Sequence, residues 1–120
     1  MDEIYKIDGI SMNKVIDEFG SICYYNENNE LHGEDEPAME CLDGTKFWYK
    51  NGKLHREDGP AIESINSDKE WYKNGFLHRE DGPAIEYING GKEYYYNGIW
   101  YPEIKTDEEW IRFVKLIMFQ

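Results

Sequence analysis

The chain has 120 residues, enough for one compact unit or one short array of repeats. Its 13 Lys and Arg residues stand against 25 Asp and Glu residues, which gives a formal charge of −12. Because an acidic surface repels phosphate backbones and anionic lipid headgroups, direct binding to nucleic acid or to a membrane is disfavoured. Aromatic residues make up 16 % of the chain, a share that a disordered acidic chain would lack.

The termini and the cysteines indicate a cytoplasmic protein. The N-terminus is acidic and has no long apolar run, which argues against a signal peptide. The longest apolar stretch, residues 116–119, is far too short to span a bilayer. Cys23 and Cys41 are the only cysteines and form no CxxC pair, so we expect two free thiols and neither a disulfide framework nor a zinc site.

The first 22 residues allow two interpretations. Apolar residues recur at helical spacing after Ser11, a candidate N-cap, at Met12, Val15, Ile16 and Phe19. Residues 14–26, however, resemble the strand-turn-strand pattern of residues 85–97, with Gly20 in the place of Gly91. We favour the second interpretation, a degenerate N-terminal hairpin or cap over residues 1–22, and leave the helix as the alternative.

Residues 23–101 are organised as repeats of 23 residues. The blocks 48–70 and 71–93 are identical except at Lys53/Phe76, Ser64/Tyr87, Ser67/Gly90 and Asp68/Gly91. A fixed period of this length predicts copies of one small unit that bury their apolar faces against each other. The first copy is degenerate, with Asn28-Asn29 in the place of Asn-Gly. The third copy is more aromatic than the second, so a binding end is predicted there.

Turn residues within each repeat predict the fold class. Asn51-Gly52 and its two counterparts supply two positive-φ residues, as a type I′ hairpin requires. A second turn follows at Asp43-Gly44 and at the equivalent residues 66–68 and 89–91. The segments between the turns are rich in Ile, Trp and Tyr. We therefore predict a mainly β protein, an elongated antiparallel β-meander of hairpin repeats with about two strands per repeat.

A C-terminal α-helix over residues 106–119 is predicted to cap the meander. Thr106 and Glu109 have the spacing of a capping box. An apolar stripe at i, i+3, i+4 and i+7 follows, formed by Trp110, Phe113, Val114 and Ile117. Leu116, Met118 and Phe119 extend the apolar surface beyond one stripe, which leaves docking of a partner or dimerisation through this helix as an alternative.

The recurring His-Arg-Glu-Asp segment, at residues 55–58 and 78–81, carries the most reactive side chains. Imidazoles and carboxylates together could bind a divalent metal or relay protons. A catalytic site, however, brings a few unlike groups together once, whereas a repeated motif places like groups in a row. We expect a structural role, with Arg paired to carboxylates, and hence no catalytic residues, no metal site and no cofactor.

Aromatic residues supply the predicted partner-binding surface. In alternating strands Trp48 and Trp71 would share one face, and Tyr49 and Tyr72 the other. An exposed row of Tyr or Trp is a favourable surface for binding a protein, although both rows could instead stabilise the stack. The predicted contact set, with two glutamates at its rim, is Trp48, Trp71, Tyr72, Tyr87, Tyr95, Tyr96, Glu63 and Glu86.

The repeats resemble a known family. An aromatic-x-x-Gly hairpin followed by a Lys-x-His step, here Trp48, Gly52, Lys53 and His55, together with the Asp43-Gly44 turn, is similar to MORN repeats. The form N-G-x-L-H-R-E-D-G-P-A looks closer still to a MORN-like variant of phages, large DNA viruses and some bacteria. The resemblance implies an elongated meander that serves scaffolding and protein contact, with lipid association in some members and no catalytic residues. Arg-Glu-Asp-Gly-Pro in the place of the usual glycine departs from the pattern, and the charge argues against lipid binding.

The combined interpretation is a non-enzymatic protein-interaction module. By analogy of class, small acidic phage or viral proteins often occupy a host protein, including components of host defence. The predicted partner is another protein, with a basic surface as one candidate, and self-association through the C-terminal helix stays open. The alternative function is an acidic nucleic-acid mimic that blocks a basic groove. A third hypothesis, a metal-dependent hydrolase, would use His55 and His78 with their acidic neighbours.

Overall fold

The computed structural model describes residues 3–7 and 10–119, and its backbone is elongated, with extents of 49 × 33 × 18 Å. Antiparallel strands dominate, and a C-terminal helix, α1 (Asp107–Met118), follows them. The strands, in chain order, are β1 (Glu3–Ile7), β2 (Ile10–Ile16), β3 (Ile22–Tyr25), β4 (Met39–Glu40), β5 (Lys46–Phe47), β6 (Tyr49–Lys50), β7 (Lys53–Leu54), β8 (Ile62–Glu63), β9 (Lys69–Glu70), β10 (Tyr72–Lys73), β11 (Phe76–Leu77), β12 (Ile85–Glu86), β13 (Lys92–Glu93), β14 (Tyr95–Tyr96) and β15 (Ile99–Trp100). The predicted fold class, a β-meander with a C-terminal helix, is confirmed.

Within residues 3–7 and 10–119, nine strands form one long sheet in the order β1-β2-β3-β4-β5-β8-β9-β12-β13. The other strands pair as three small hairpins, β6–β7, β10–β11 and β14–β15, that lie outside the long sheet. A full repeat therefore contributes two short strands to the sheet and one separate hairpin. The prediction of two strands per repeat missed this division.

The chain leaves the long sheet at Trp48, Trp71 and Tyr94, which explains why each extended segment is split. The Trp71 N–H donates to the carbonyl of Ala84 at 2.7 Å, and the Trp48 N–H donates to Ala61 in the same way. Ala61 and Ala84 follow the prolines of the two blocks and are fully buried. A side chain larger than a methyl group would have no room at either alanine.

The predicted turn chemistry is confirmed in the second and third copies. Asn51 and Gly52 have φ values of 51° and 81°, so both central residues of the β6–β7 turn are left-handed, as a type I′ turn demands. The other turn joins the sheet strands. There the N–H of Gly44 donates to Cys41 O at 2.9 Å, and Gly44 has a φ of 97°. Equivalent left-handed residues are Gly90 and Ser67.

The N-terminal hairpin is also confirmed, since β2 and β3 pair across a turn at residues 17–21 and the helical alternative is wrong for this segment. Two details differ from prediction. Gly20 matches Gly90, because each donates its N–H to the residue three positions earlier. Asn28-Asn29 does not act as an Asn-Gly pair: the loop is one residue longer, and only Asn29 has a positive φ. Residues 1, 2, 8 and 9 of the predicted segment lie outside the described residues.

The cross-strand register defines two faces of the long sheet. One face, which we name the tyrosine face, carries a row of directly paired residues: Cys23, Met39, Phe47, Ile62, Glu70, Ile85 and Glu93. Four tyrosines lie beside this row, each two positions further along the chain than a member of the row: Tyr25, Tyr49, Tyr72 and Tyr95. The opposite face, which we name the charge-ladder face, carries a row of glutamates and lysines: Glu40, Lys46, Glu63, Lys69, Glu86 and Lys92. The aromatic residues beside this row are Trp48, Trp71 and Tyr94. The predicted separation of the Trp and Tyr rows follows from this register.

Helix α1 packs on the last repeat at the charge-ladder face. Tyr94, Trp110 and Val114 form a buried cluster, and the Trp110 indole N–H donates to Arg79 O at 2.8 Å. The predicted capping box is present: the Glu109 N–H donates to Thr106 Oγ1 at 3.2 Å. The helix therefore covers the end of the array, as predicted for a cap.

The remaining sequence predictions concern thiols and membranes. Cys23 and Cys41 are free, and burial raises the pKa of the Cys23 thiol. In the part of the chain that the structure describes, no helix has the length and apolarity needed to cross a bilayer.

Candidate functional site

The histidine of each repeat binds the next repeat. His55 Nδ1 accepts the backbone N–H of Asn74 at 2.9 Å, and its Nε2 lies 2.7 Å from Glu57 Oε1. His78 makes the same two contacts, to the Asn97 N–H at 2.9 Å and to a Glu80 oxygen at 3.0 Å. Because a backbone N–H can only donate, Nδ1 is the acceptor and the ring proton is on Nε2, where it is donated to the carboxylate. These imidazoles thus link consecutive repeats.

The arginine that follows each histidine covers a tryptophan. The Arg56 guanidinium carbon lies 3.7 Å from the centroid of the Trp48 ring, and its nitrogens donate to Asp58, to the carbonyl of Pro60 and to Glu63. Arg79 repeats this arrangement over Trp71 at 3.9 Å. A β-carbon added at Gly59 would lie 3.1 Å from the Arg56 guanidinium carbon, so the small residue before proline keeps room for this stacking. The predicted pairing of Arg with carboxylates is present.

A cleft of about 550 Å³ lies between the His-Arg-Glu-Asp loops of the second and third copies. Glu57, Asp58, Glu80 and Asp81 line it together with Trp71. The pKa of Glu57 is held below its ordinary value by the hydrogen bond from His55 and then by Lys73. Among the described residues, no three or more His, Cys, Asp or Glu side chains are grouped so that they could hold a metal ion. The cleft side chains mainly bond to one another, and this supports the structural interpretation of the motif.

The predicted contact set does not form one surface. By the strand register, Tyr72, Tyr87 and Tyr95 lie on the tyrosine face, whereas the rest of the set lies on the charge-ladder face. There Arg56 and Arg79 lie over the two tryptophans and bond to the two rim glutamates. The Tyr96 ring packs against the His78 ring, with centroids 4.7 Å apart. The members engaged within the array are Trp48, Trp71, Tyr96, Glu63 and Glu86.

On the tyrosine face, carboxylates fix the phenols. Tyr72 donates its hydroxyl to Glu70 at 3.0 Å. Glu93 accepts from both Tyr87 and Tyr95, at 3.0 and 3.2 Å. Burial, followed by the charge of Glu70, raises the pKa of Tyr72 to about 12, so this phenol keeps its proton at physiological pH. The three rings remain partly exposed.

The charge-ladder face alternates in sign from strand to strand. Glu40 pairs with Lys46, Lys46 with Glu63, and the alternation continues to Lys92. Opposite charges directly across a pair of strands stabilise the sheet. A mimic of nucleic acid needs a row of like charges spaced as phosphates, so this alternation weighs against the mimic on this face.

Sequence reasoning missed a row of exposed apolar residues along one edge of the long sheet. We name it the apolar ridge: Phe19, Leu42, Ile65 and Ile88, with exposed fractions of 74 %, 81 %, 64 % and 66 %. Leu42, Ile65 and Ile88 occupy the second position of the turn between two sheet strands, and Phe19 occupies the third position of the first such turn. The signal was an apolar residue inside each turn, before Asp43-Gly44, Asn66-Ser67, Asn89-Gly90 or Gly20, a place where polar residues are usual.

No protein-family model, curated protein or solved structure matches this chain. The resemblance to MORN repeats therefore stays a prediction that rests on the repeat residues themselves.

Proposed function

We propose that this protein is a non-enzymatic interaction module that binds another protein through its tyrosine face. The observation that carries the proposal is the arrangement of Tyr72, Tyr87 and Tyr95, whose hydroxyls bond to two carboxylates while their rings stay partly exposed. Fixed aromatic rings lose little conformational freedom on binding, so such residues often dominate the energy of a protein interface.

The interaction role is favoured over catalysis by how the reactive side chains are used. His55 and His78 bond to neighbouring repeats, and Arg56 and Arg79 bond to their own tryptophans and carboxylates. Each of these contacts occurs in both copies. The groups therefore serve the stack of repeats, whereas an active site requires unlike groups that converge on one reacting atom.

The chemistry of the face indicates a partner with basic side chains. Glu70 and Glu93 accept phenol hydrogens and keep further lone pairs for Lys or Arg donors. The neighbouring rings can receive the same cations over their faces. The overall charge of −12 adds long-range attraction for a basic protein.

The experiment compares the affinity of the unmodified protein and of the Tyr72→Ala/Tyr95→Ala variant for the partner. The partner is first identified by affinity capture from cells of the native source and then purified, and its Kd is measured by calorimetry. We expect the double variant to bind at least about tenfold more weakly, a loss of about 1.4 kcal/mol. The matched variant Tyr72→Phe/Tyr95→Phe keeps the rings and separates ring contact from the hydroxyl–carboxylate bonds. Unchanged affinity in a double alanine variant that is folded by circular dichroism would refute the proposal.

A further inference from the structure

The apolar ridge is continuous from turn to turn. The β-carbon position of Gly20 lies 3.5 Å from Leu42 Cδ1, and that of Gly44 lies 3.3 Å from Ile65 Cδ1. The next two turns are joined by the Ile88 N–H, which donates to Asp68 Oδ1 at 2.7 Å. Leu42 and Ile65 thus rest on the turn before them, Ile88 is bonded to the turn before it through its backbone, and all four ridge residues face solvent with most of their surface. Four aligned, exposed apolar side chains are a feature of interaction surfaces.

The charge along this edge is acidic. The four turns, residues 17–21, 41–45, 64–68 and 87–91, contain Asp17, Glu18, Asp43 and Asp68 and no Lys or Arg. A glutamate directly precedes and a lysine directly follows each of the last three turns, and these flanking charges cancel, so the edge stays acidic. A second copy of this chain would bring the same carboxylates and a total charge of −12 against them. A basic partner complements the edge, whereas self-association through it is opposed by repulsion.

The spacing of the ridge restricts the partner's conformation. Each repeat adds two sheet strands about 4.8 Å apart, so ridge residues recur at about 9.6 Å, and the sheet twist lengthens this path along the edge. In a partner β-strand, side chains on one face recur about every 6.6 Å, or about every 13.2 Å if every second one is used, and neither distance matches the ridge. A polyproline helix repeats at about 9.3 Å, which is shorter than the lengthened path. An α-helix rises about 10.5 Å in seven residues, which fits a ridge spacing that the twist makes somewhat longer than about 9.6 Å.

We propose that the apolar ridge binds a basic amphipathic α-helix of a partner protein, with one apolar residue in every seven facing the ridge. Lysine or arginine residues beside that apolar row meet the carboxylates of the turns. The ridge side chains make none of the hydroxyl–carboxylate contacts of the tyrosine face, although the two surfaces adjoin at Tyr87 and Ile88. The Tyr72/Tyr95 and Leu42/Ile65 variants therefore test the two proposals separately.

The test uses a synthetic helical peptide of four heptads, with leucine at one position of each heptad, lysine on both sides of it, and alanine or glutamine elsewhere. Binding is measured by fluorescence anisotropy, and methyl NMR maps it on the full chain. We expect the Leu42, Ile65 and Ile88 methyl signals to shift. Leu42→Ser/Ile65→Ser should bind at least about tenfold more weakly, because two exposed apolar contacts are lost without removing core packing.

Controls separate this site from general apolar attraction. Leu116→Ser/Phe119→Ser removes two similarly exposed apolar residues, one on α1 and one at its C-cap, and should leave peptide binding unchanged. Peptides with glutamate in place of lysine, or with leucine at every eighth residue, should bind at least about tenfold more weakly. The proposal is overturned by absence of binding at millimolar peptide, by equal loss in both double variants, by equal binding of the control peptides, or by dimerisation through the ridge in sedimentation velocity.

Discussion

Ser67 occupies a left-handed backbone conformation, with a φ of 77°, that its counterparts Gly20, Gly44 and Gly90 adopt without steric cost. A β-carbon in this region costs roughly 1–2 kcal/mol, part of which the greater flexibility of unfolded glycine offsets. We expect Ser67→Gly to raise the free energy of unfolding by about 1 kcal/mol, measured by urea denaturation. Ser64→Gly, in the same turn but without a positive φ, should lower it. A destabilised Ser67→Gly variant would show that the turn is not held in this conformation.

His78 shows how a single side chain couples repeats. It is 5 % exposed and accepts the Asn97 N–H through Nδ1. His78→Ala leaves that N–H without its acceptor and removes the ring contact with Tyr96, so we expect a loss of about 2–3 kcal/mol in stability. His78→Asn keeps an oxygen near the position of Nδ1 and should recover part of the loss. Chemical denaturation measures both variants, and equal stability of the two would mean that the Nδ1 bond contributes nothing.

At the scale of elements, α1 stabilises the repeats because it supplies the core that a thin sheet lacks. Trp110 is fully buried between Tyr94, Tyr101 and Phe113, and its indole bonds to Arg79 O. Trp110→Ala should cost about 3–5 kcal/mol through the cavity and the lost hydrogen bond. Thr106→Ala removes only the cap and should cost about 1 kcal/mol. Thermal unfolding monitored by circular dichroism compares the two, and a Trp110→Ala effect as small as that of Thr106→Ala would refute this role of the helix.

The sequence predicted those elements whose geometry depends on a specific residue type. Asn-Gly demands two positive φ values, and Thr106 with Glu109 demands a helix start, so both were found. It missed the separate hairpins, because Trp71 bonds to the long sheet through its N–H, at Ala84, and to the hairpin through its carbonyl, at His78, a division that no local pattern signals. The altered turn at Asn29 was missed because one inserted residue changes the turn type.

The candidate site was predicted only in part. Alternation placed the tryptophans and tyrosines on opposite faces, yet the predicted contact set drew on both faces together. The stacking of Arg79 on Trp71 comes from a loop eight residues later, and strand periodicity cannot show it. The apolar ridge was missed because single apolar residues in turns carry no signal until their alignment across repeats is known.

At the scale of the whole molecule, the bonds between copies join only neighbours, so one block should be dispensable. Deleting residues 48–70 joins Phe47 to Trp71 and keeps every later residue in phase. We expect a folded chain with a sheet shorter by about 10 Å and a lower stability, because one interface between repeats is lost. Small-angle scattering and chemical denaturation measure these changes. Deleting residues 48–59 removes only part of a repeat, so the later residues lose their place in the 23-residue period and the chain should not fold. Equal stability of the two deletion variants would contradict a modular array.

The hydrogen bonds of the hairpin tips also bear on chemical ageing. Asn-Gly pairs deamidate when the glycine nitrogen attacks the side-chain amide carbon of asparagine, which breaks the bond to the amide nitrogen, releases ammonia and closes a succinimide ring. Here the N–H groups of Gly52, Gly75 and Gly98 donate to the leucine carbonyl of the preceding repeat at 2.8–2.9 Å. Ring closure requires that nitrogen to lose its proton and turn towards the side chain, so contact between repeats slows the reaction. The rate of deamidation over weeks of storage would thus report how often neighbouring repeats separate, because the residues that form the turns are also the ones that react.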